Sequence, residues 1–380
     1  MKTIAFFGHD SGDAAVRRRV RALSDDGFDI IGYMPRRRAD KAADWQNVDL
    51  GMTRDGAFIN RIKVIFTGAW RAARPRNNLK RADLIYARNL DMLACAFLAK
   101  RFLNSKTPVI YECLDVHRMM CRQDLIGKGL RAIEGALLKR CEGLVVSSPG
   151  FLKNYFSRYH EGLYRAVLVE NRLAAGADYG TRTKSAAHVG KNAPLKLGWV
   201  GNLRCKVSLG LLADLADHFG PRLEVHLHGQ PARTEIDVFE PVIDPRANMF
   251  YHGRYRSPED LATIYEGLDI VWAGDFMEAG YNSEWLLPNR IYEGGYYATP
   301  SVAPSGTQTA HWIATHECGF LVEQPLEQTM IALIETLMAD PSLIDAKAAT
   351  LLAMDAHTFI QPQGFMRAMI SEVMAKEASI

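Results

Sequence analysis

At 380 residues, 48% of them hydrophobic, the chain is too long for one ordinary core and suits two domains, and its composition excludes global disorder. Residues 1–160 hold 29 Lys+Arg against 16 Asp+Glu, and residues 161–380 hold 17 against 27, so a formal net charge of +3 conceals a basic half joined to an acidic one. No stretch reaches the ~18 apolar residues of a spanning helix, the opening MKTIAFFGHD is too short for a signal peptide, and the six cysteines show no zinc or Cys-x-x-Cys spacing; a reduced cytoplasmic protein is expected.

The first half alternates strand and helix. TIAFFG reads as a buried strand. DAAVRRRVRALSDDG follows as a helix with Val16, Val20 and Leu23 on one face and Gly27 as its stop. FDIIGYM, ADLIYARN, TPVIYECLD, LVVSS and AVLVEN read as strands, with LDMLACAFLAKRF and LIGKGLRAIEGALLKRCEG as helices among them. Such alternation implies βαβ units and a parallel sheet. Residues 173–194, rich in Gly, Ala and Lys, read as a linker or exposed loop. The pattern then restarts with LKLGWVG, LEVHLHG, NMFYHGRY, DIVWAG, PSVAPS and GFLVEQ as strands between helices. The fold class is therefore α/β, with two doubly wound Rossmann-like domains facing a cleft. Residues 1–172 form the first, 195–354 the second, and 355–380 a C-terminal helix that can pack back on the first. Ligands of open α/β sheets bind beyond the carboxyl ends of the strands.

Several chemistries are disfavoured. GHDSG after the first strand lacks the dinucleotide-binding glycine spacing, and no P-loop, nucleophile elbow or Asp-x-Asp occurs. His226-x-His228 reads as one face of a strand rather than as a metal site.

The ordered series GWVGN, VHLHGQ, FYHGRYRSPEDLATIYEGLDIVWAGD, LPNRIYEGGYYATPSVAPSGTQ and HECGFLV resembles the donor-binding domain of family-4-like glycosyltransferases of the GT-B fold over most of residues 195–325. ADLIYARN, PVIYECLD, LVVSSPGF and VLVEN look like the matching acceptor domain. The resemblance implies that Glu293 accepts hydrogen bonds from the ribose of a sugar nucleotide, a task suited to a carboxylate. Asn289 and Arg290 stand in the same helix. Arg204 and Lys206 fall where the family places its diphosphate-binding cations. Ser305, Gly306, Thr307 and Gln308 should open a helix whose amides face the phosphates. The family pattern has a second glutamate eight residues before Glu293; here Trp285 stands there, with Glu284 one residue off and Glu278 further away.

In the first half, Asp115 or His117 at a strand end is placed to act on the acceptor hydroxyl or donor sugar. The alternative for Asp115 is a helix N-cap. Asp10, Gly12, Arg88 and Asn89 are the acceptor-binding candidates. Residues 59–81 read as a cationic, amphipathic segment, with Ile65, Phe66, Trp70, Arg71 and Arg74 as membrane contacts on an anionic bilayer. The resemblance then implies transfer from a nucleotide-diphosphate sugar (UDP before GDP) to a lipid-linked or glycan acceptor by a peripheral enzyme on the inner membrane face. It implies no cofactor and no metal, and no nucleic-acid motif accompanies the basic half. A non-catalytic sugar-nucleotide-binding subunit is the rival reading.

Overall fold

The computed structural model describes residues 2–36, 43–52, 58–183 and 193–375, and for residues 14, 58–64 and 75 the backbone alone. The chain divides into two compact units. One comprises Met1–Glu170, Ala174–Gly176 and Pro362–Ile380; the other comprises Asn171–Leu173 and Ala177–Gln361.

The first unit is a seven-stranded parallel sheet in the order β3-β2-β1-β4-β5-β6-β7. Its strands are β1 Thr3–Phe7, β2 Asp29–Arg36, β3 Asn47–Met52, β4 Leu84–Arg88, β5 Val109–Cys113, β6 Gly143–Val146 and β7 Ala166–Leu168. β1, β4, β5 and β6 are short apolar runs because helices cover both faces of such a sheet. Helices α1 Ala14–Asp25, α2 Phe58–Ala72, α3 Leu90–Phe102 and α4 Leu125–Leu138 supply the cover. The carboxylate of Asp13 caps α1 by accepting from the Val16 amide at 2.9 Å. Val16, Val20 and Leu23 of α1 join Ile4, Phe6, Ile30 and Tyr86 in the core.

The C-terminal helix Phe365–Met374 adds Met366, Met369, Ile370 and Val373 to that same core. The Asp26 carboxylate holds its start, accepting from the amides of Gly364 and Arg367 at 2.6 and 3.1 Å. Burying four such side chains contributes about 1.5–3 kcal/mol each, which is why this distant segment belongs to the first unit.

The second unit is a six-stranded parallel sheet in the order β10-β9-β8-β11-β12-β13. Its strands are β8 Leu195–Leu203, β9 Leu223–Pro231, β10 Met249–Gly253, β11 Ile270–Trp272, β12 Ser301–Pro304 and β13 Gly319–Val322. The helices that matter for the site are α5 Lys206–Phe219, α6 Asn289–Tyr296 and α7 Gln308–His316. Strand order reverses at β8–β11, and there the carboxyl ends of two neighbouring strands diverge toward opposite helices.

Where it is described, the stretch over residues 173–194, expected as a linker or exposed loop, is anchored at several points. Leu173 donates its amide to the Phe359 carbonyl at 2.8 Å, and Tyr179 is buried. Arg182 donates to the carbonyls of Met354 and Leu351, at 2.8 and 2.5 Å, and lies over the Phe359 ring. Polar backbone ends of the surrounding helices give this Gly-rich stretch its anchors, which periodicity does not register. Residues 184–192 lie outside the described residues.

Candidate functional site

The carboxyl edge of the second unit is built around Asp275, the last residue of DIVWAGD, to which the motif reading assigned no role. Asp275 follows β11 and is 9% exposed. It accepts from Nε of Arg204 at 2.9 Å, from the Ser283 hydroxyl at 3.1 Å and from the Met277 amide at 2.9 Å. Burial works to raise its pKa, but Arg204, the Met277 amide and Arg290 outweigh it and hold the carboxyl below its ordinary range. Arg204 ends the turn after β8, so this ion pair joins the two strands at the order reversal.

Arg290, in the first turn of α6, is 8% exposed and donates from Nη1 to the Trp272 carbonyl at 3.1 Å. Burial lowers its pKa, Asp275 counteracts this, and Arg204 adds to the lowering. Two guanidiniums thus flank one carboxylate, leaving local positive charge in partly desolvated surroundings. That arrangement suits an anionic ligand such as a diphosphate.

Lys206 differs from its expected pairing with Arg204. It is the first residue of α5, its ammonium is exposed, and it meets Asp237 at 3.3 Å. A long flexible stem at a helix start lets the charge seek water and a surface partner.

Glu293 lies on α6 and is 2% exposed. Its Oε2 accepts from the Tyr265 hydroxyl at 3.0 Å. A carboxylate has about four lone-pair sites, so Tyr265 takes one and orients the group. Burial chiefly, with Glu293 adding, raises the Tyr265 phenol well above its usual value, so it stays a donor. The glycines after Glu293 follow from packing: a Cβ on Gly295 would meet the Phe359 ring at 2.3 Å, and one on Gly294 would crowd the Tyr265 ring at 3.3 Å. Asn289 opens α6 behind Pro288 and is half-buried.

The Ser-Gly-Thr-Gln turn starts a helix as expected. Thr307 caps α7, its hydroxyl accepting from the Ala310 amide at 3.0 Å and donating to the Pro304 carbonyl at 2.9 Å. Gly306, at φ +81°, makes the turn that brings Gln308 and the first-turn amides to the carboxyl end of β12. Ser305 departs from expectation: its amide donates to the Val322 carbonyl at 2.8 Å and continues the sheet.

Trp285 ends a four-residue helix, Asn282–Trp285, and packs edge-on against Tyr281 at 6.0 Å. Glu284 beside it accepts from the Gly280 amide at 2.6 Å. The carboxylate at Glu284 closes a local turn there.

In the first unit the candidates separate. Asp10 accepts from the Gly12 amide at 3.0 Å and shapes the β1–α1 turn. Arg88, expected at the acceptor, is fully buried. Its Nε and Nη2 meet both oxygens of Glu112 at 2.9 Å each, while Arg19 Nε reaches Glu112 at 3.0 Å. Burial opposes ionisation of Glu112, yet Arg19 and Arg88 pull its pKa down to about 2. An excess charge in a core holds only with this fork geometry, so Arg88 is a fold element and any acceptor contact would be through the buried Nη1 that lacks a partner. Asn89, at φ 68°, accepts from the Leu114 amide at 3.3 Å and ties the ends of β4 and β5 together.

Asp115 is exposed just beyond β5. It does not cap the following short helix Arg118–Cys121; His117 does, its Nδ1 accepting from the Met119 amide at 3.2 Å. That bond leaves Nε2 as the ring donor in the neutral imidazole. Among the membrane candidates, Phe66 and Trp70 are 60% and 58% exposed, Arg71 is exposed, and Ile65 and Arg74 are half-buried, with the Arg74 guanidinium 4.1 Å over the Trp70 ring.

Sequence reasoning missed Asp275, Glu112, Arg19 and Tyr265. The available signal for the first was an aspartate directly after a strand, WAGD, and for the second a lone carboxylate inside VIYEC.

No family model matches the chain. It is 39% identical over 331 residues to the succinoglycan biosynthesis protein ExoL of Rhizobium meliloti (strain 1021), a match that covers 85% of this chain and 81% of that protein. Its fold is similar to the solved structure of sucrose-phosphate synthase from Thermosynechococcus elongatus, with a TM-score of 0.70 and 14% identity over 98% of each chain. It is also similar to that of Anabaena Alr3699/HepE in complex with UDP and glucose, with a TM-score of 0.69 and 14% identity over 99% of this chain and 100% of that one. The chain therefore belongs to the polysaccharide-biosynthesis family of ExoL and is built on the GT-B glycosyltransferase fold.

Proposed function

We propose that this protein transfers a glycosyl group from a UDP sugar to a lipid-linked glycan acceptor during assembly of a bacterial polysaccharide. The observation that carries the donor half of this reading is the group formed by half-buried Arg204 with buried Asp275 and Arg290, in the same unit as Glu293. Its positive charge would receive the diphosphate, the α7 amides would add donors, and Glu293 would accept from the ribose hydroxyls while Tyr265 fixes its rotamer. The solved HepE complex with UDP and glucose supports the choice of nucleotide.

Asp115, solvent-accessible at the end of β5, is proposed as the group that takes the acceptor hydroxyl proton, and His117 as a hydrogen-bond donor through Nε2. The basic first half, with Phe66 and Trp70 exposed, supports a lipid-borne acceptor at an anionic surface. A thermal-shift screen of UDP, GDP and their sugars tests the donor, since a ligand that binds the native state raises apparent stability. Stabilisation by UDP and one UDP sugar is expected; no response to any nucleotide would overturn the reading.

A further inference from the structure

Helix α4 is turned inside out. Its inward side carries Gly127, Arg131, Glu134, Gly135 and Leu138, all buried. Arg131 donates to the carbonyls of Met120 and Arg122, at 2.5 and 2.7 Å, and its guanidinium lies 4.4 Å over the Tyr159 ring. Glu134 accepts from the hydroxyls of Tyr111 and Tyr155, at 2.8 and 2.5 Å, and pairs with the His160 ring at 2.9 Å. The polar groups are thus satisfied inside. The outward side carries Leu125 at 85% exposure, Ile126 at 51% and Ile133 at 52%, with Ala132 and Ala136 exposed between and beyond. A Cβ on Gly129 would meet nothing within 4 Å. A water-facing helix has the opposite arrangement.

The neighbouring helices extend this face. α2 packs on α3 and α3 on α4. α2 exposes Phe66 and Trp70, and α3 ends in Phe102 at 53% exposure. By contrast α1 and the C-terminal helix, which pack together, expose no large apolar side chain among the described residues. The charge around α4 has mainly one sign: Arg118, Arg122 and Lys128 are exposed near its start, and Lys139 and Arg140 at its end. Asp124 is exposed there too, but it pairs with Arg122 and caps the helix through the Gly127 amide. Among the described residues no helix is long and apolar enough to cross a membrane. Isolated aliphatic anchors among cations fit a surface that supplies acyl chains below and negative charge above.

We propose that α4 lies on an anionic bilayer, with Leu125, Ile126 and Ile133 entering the acyl boundary and the flanking Lys and Arg side chains at the headgroups. This deepens the membrane-side reading given above and rests on it, but assigns the insertion to a helix that the basic 59–81 segment does not include. The helix axis lies in the interface plane, and the polar network of Glu134 keeps its inner side fixed to the sheet.

The test compares the full-length protein with a Leu125→Ser/Ile126→Ser/Ile133→Ser variant in co-sedimentation with phosphatidylglycerol and with phosphatidylcholine vesicles. All three positions are solvent-exposed, so an unchanged melting temperature is the check on folding. Wild type should bind phosphatidylglycerol vesicles, and the variant at least about tenfold more weakly, because the lost apolar insertion is not replaced by charge. A Leu125→Trp protein should gain blue-shifted fluorescence on those vesicles, quenched by brominated acyl chains. Equal binding by wild type and triple variant would overturn the role of α4 while leaving a membrane role to α2. No binding by wild type to either vesicle would overturn the membrane reading itself. Dimerisation of wild type but not of the variant, without vesicle binding, would show the face to be a protein interface and overturn the proposal.

Discussion

Arg204 and Asp275 meet at 2.9 Å although 71 residues separate them, and this pair joins the carboxyl ends of β8 and β11 where the second sheet reverses its strand order. The carboxylate does two jobs: it keeps two guanidiniums, Arg204 and Arg290, from repelling each other, and it fixes one of them. Replacing Arg204 by Ala should weaken UDP binding at least ~tenfold, since a charge-assisted bond contributes about 1.5–3 kcal/mol. Lys206→Ala should cost much less, because that ammonium points to Asp237. Isothermal titration with UDP checks both; equal losses would return Lys206 to the site.

Glu293 should show a double effect. Glu293→Ala leaves the Tyr265 hydroxyl buried without its acceptor, at about 1–3 kcal/mol of stability, and removes the proposed ribose contact. Tyr265→Phe removes only the orienting bond. The expected order of UDP affinity is wild type, then Tyr265→Phe, then Glu293→Ala, with melting temperature measured beside it. Unchanged affinity in Glu293→Ala would detach this residue from the nucleotide.

Asp115→Asn should lower turnover by at least ~100-fold, the lower range of general-base effects, with nucleotide affinity unaltered. His117→Ala should lower turnover less and also fray the Arg118–Cys121 helix, because its Nδ1 is the cap. Single-turnover transfer from a UDP sugar to a membrane-extracted acceptor is the measurement. Wild-type turnover in Asp115→Asn would remove it from the mechanism.

Acid should destabilise the two units in different windows. In the second, His226, His228 and His252 stack along β9 and β10, and burial chiefly, helped by imidazole neighbours for His226 and His228, pushes their pKa values down, that of His228 to about 4. The unfolded imidazole, near 6.5, binds the proton first, so this contribution is full above pH 6.5 and is lost as pH falls toward 4. In the first unit Glu112 is lowered from 4.5 to about 2 despite burial, so its contribution is complete above pH 4.5 and disappears only below that. Melting followed from pH 7 to 3 should show the second unit weakening first. A His228→Phe variant should flatten the upper window, and Glu112→Gln should destabilise at neutral pH by about 3–5 kcal/mol by leaving buried arginines uncompensated.

The alternation of short, largely apolar runs with amphipathic helices sufficed to define two parallel sheets, because a strand covered on both faces is mostly apolar. β3 escaped that reading: NVDLGM sits at a sheet edge, with Asn47, Asp49 and Met52 half-buried or exposed, and its pattern is not apolar. The helix carrying Glu293 and the turn at Thr307 were also legible, since a motif fixes local backbone whatever surrounds it. The partners of those groups were not. Whether Arg88 faces water or a buried carboxylate depends on where Glu112 of the next strand points, and whether Arg204 reaches ligand or protein depends on Asp275 71 residues away. Propensity and periodicity set the elements and their order. Which charges pair in the interior, and that α4 shows its apolar side outward, follows from the packed fold, because burial is a property of neighbours brought together by strand order.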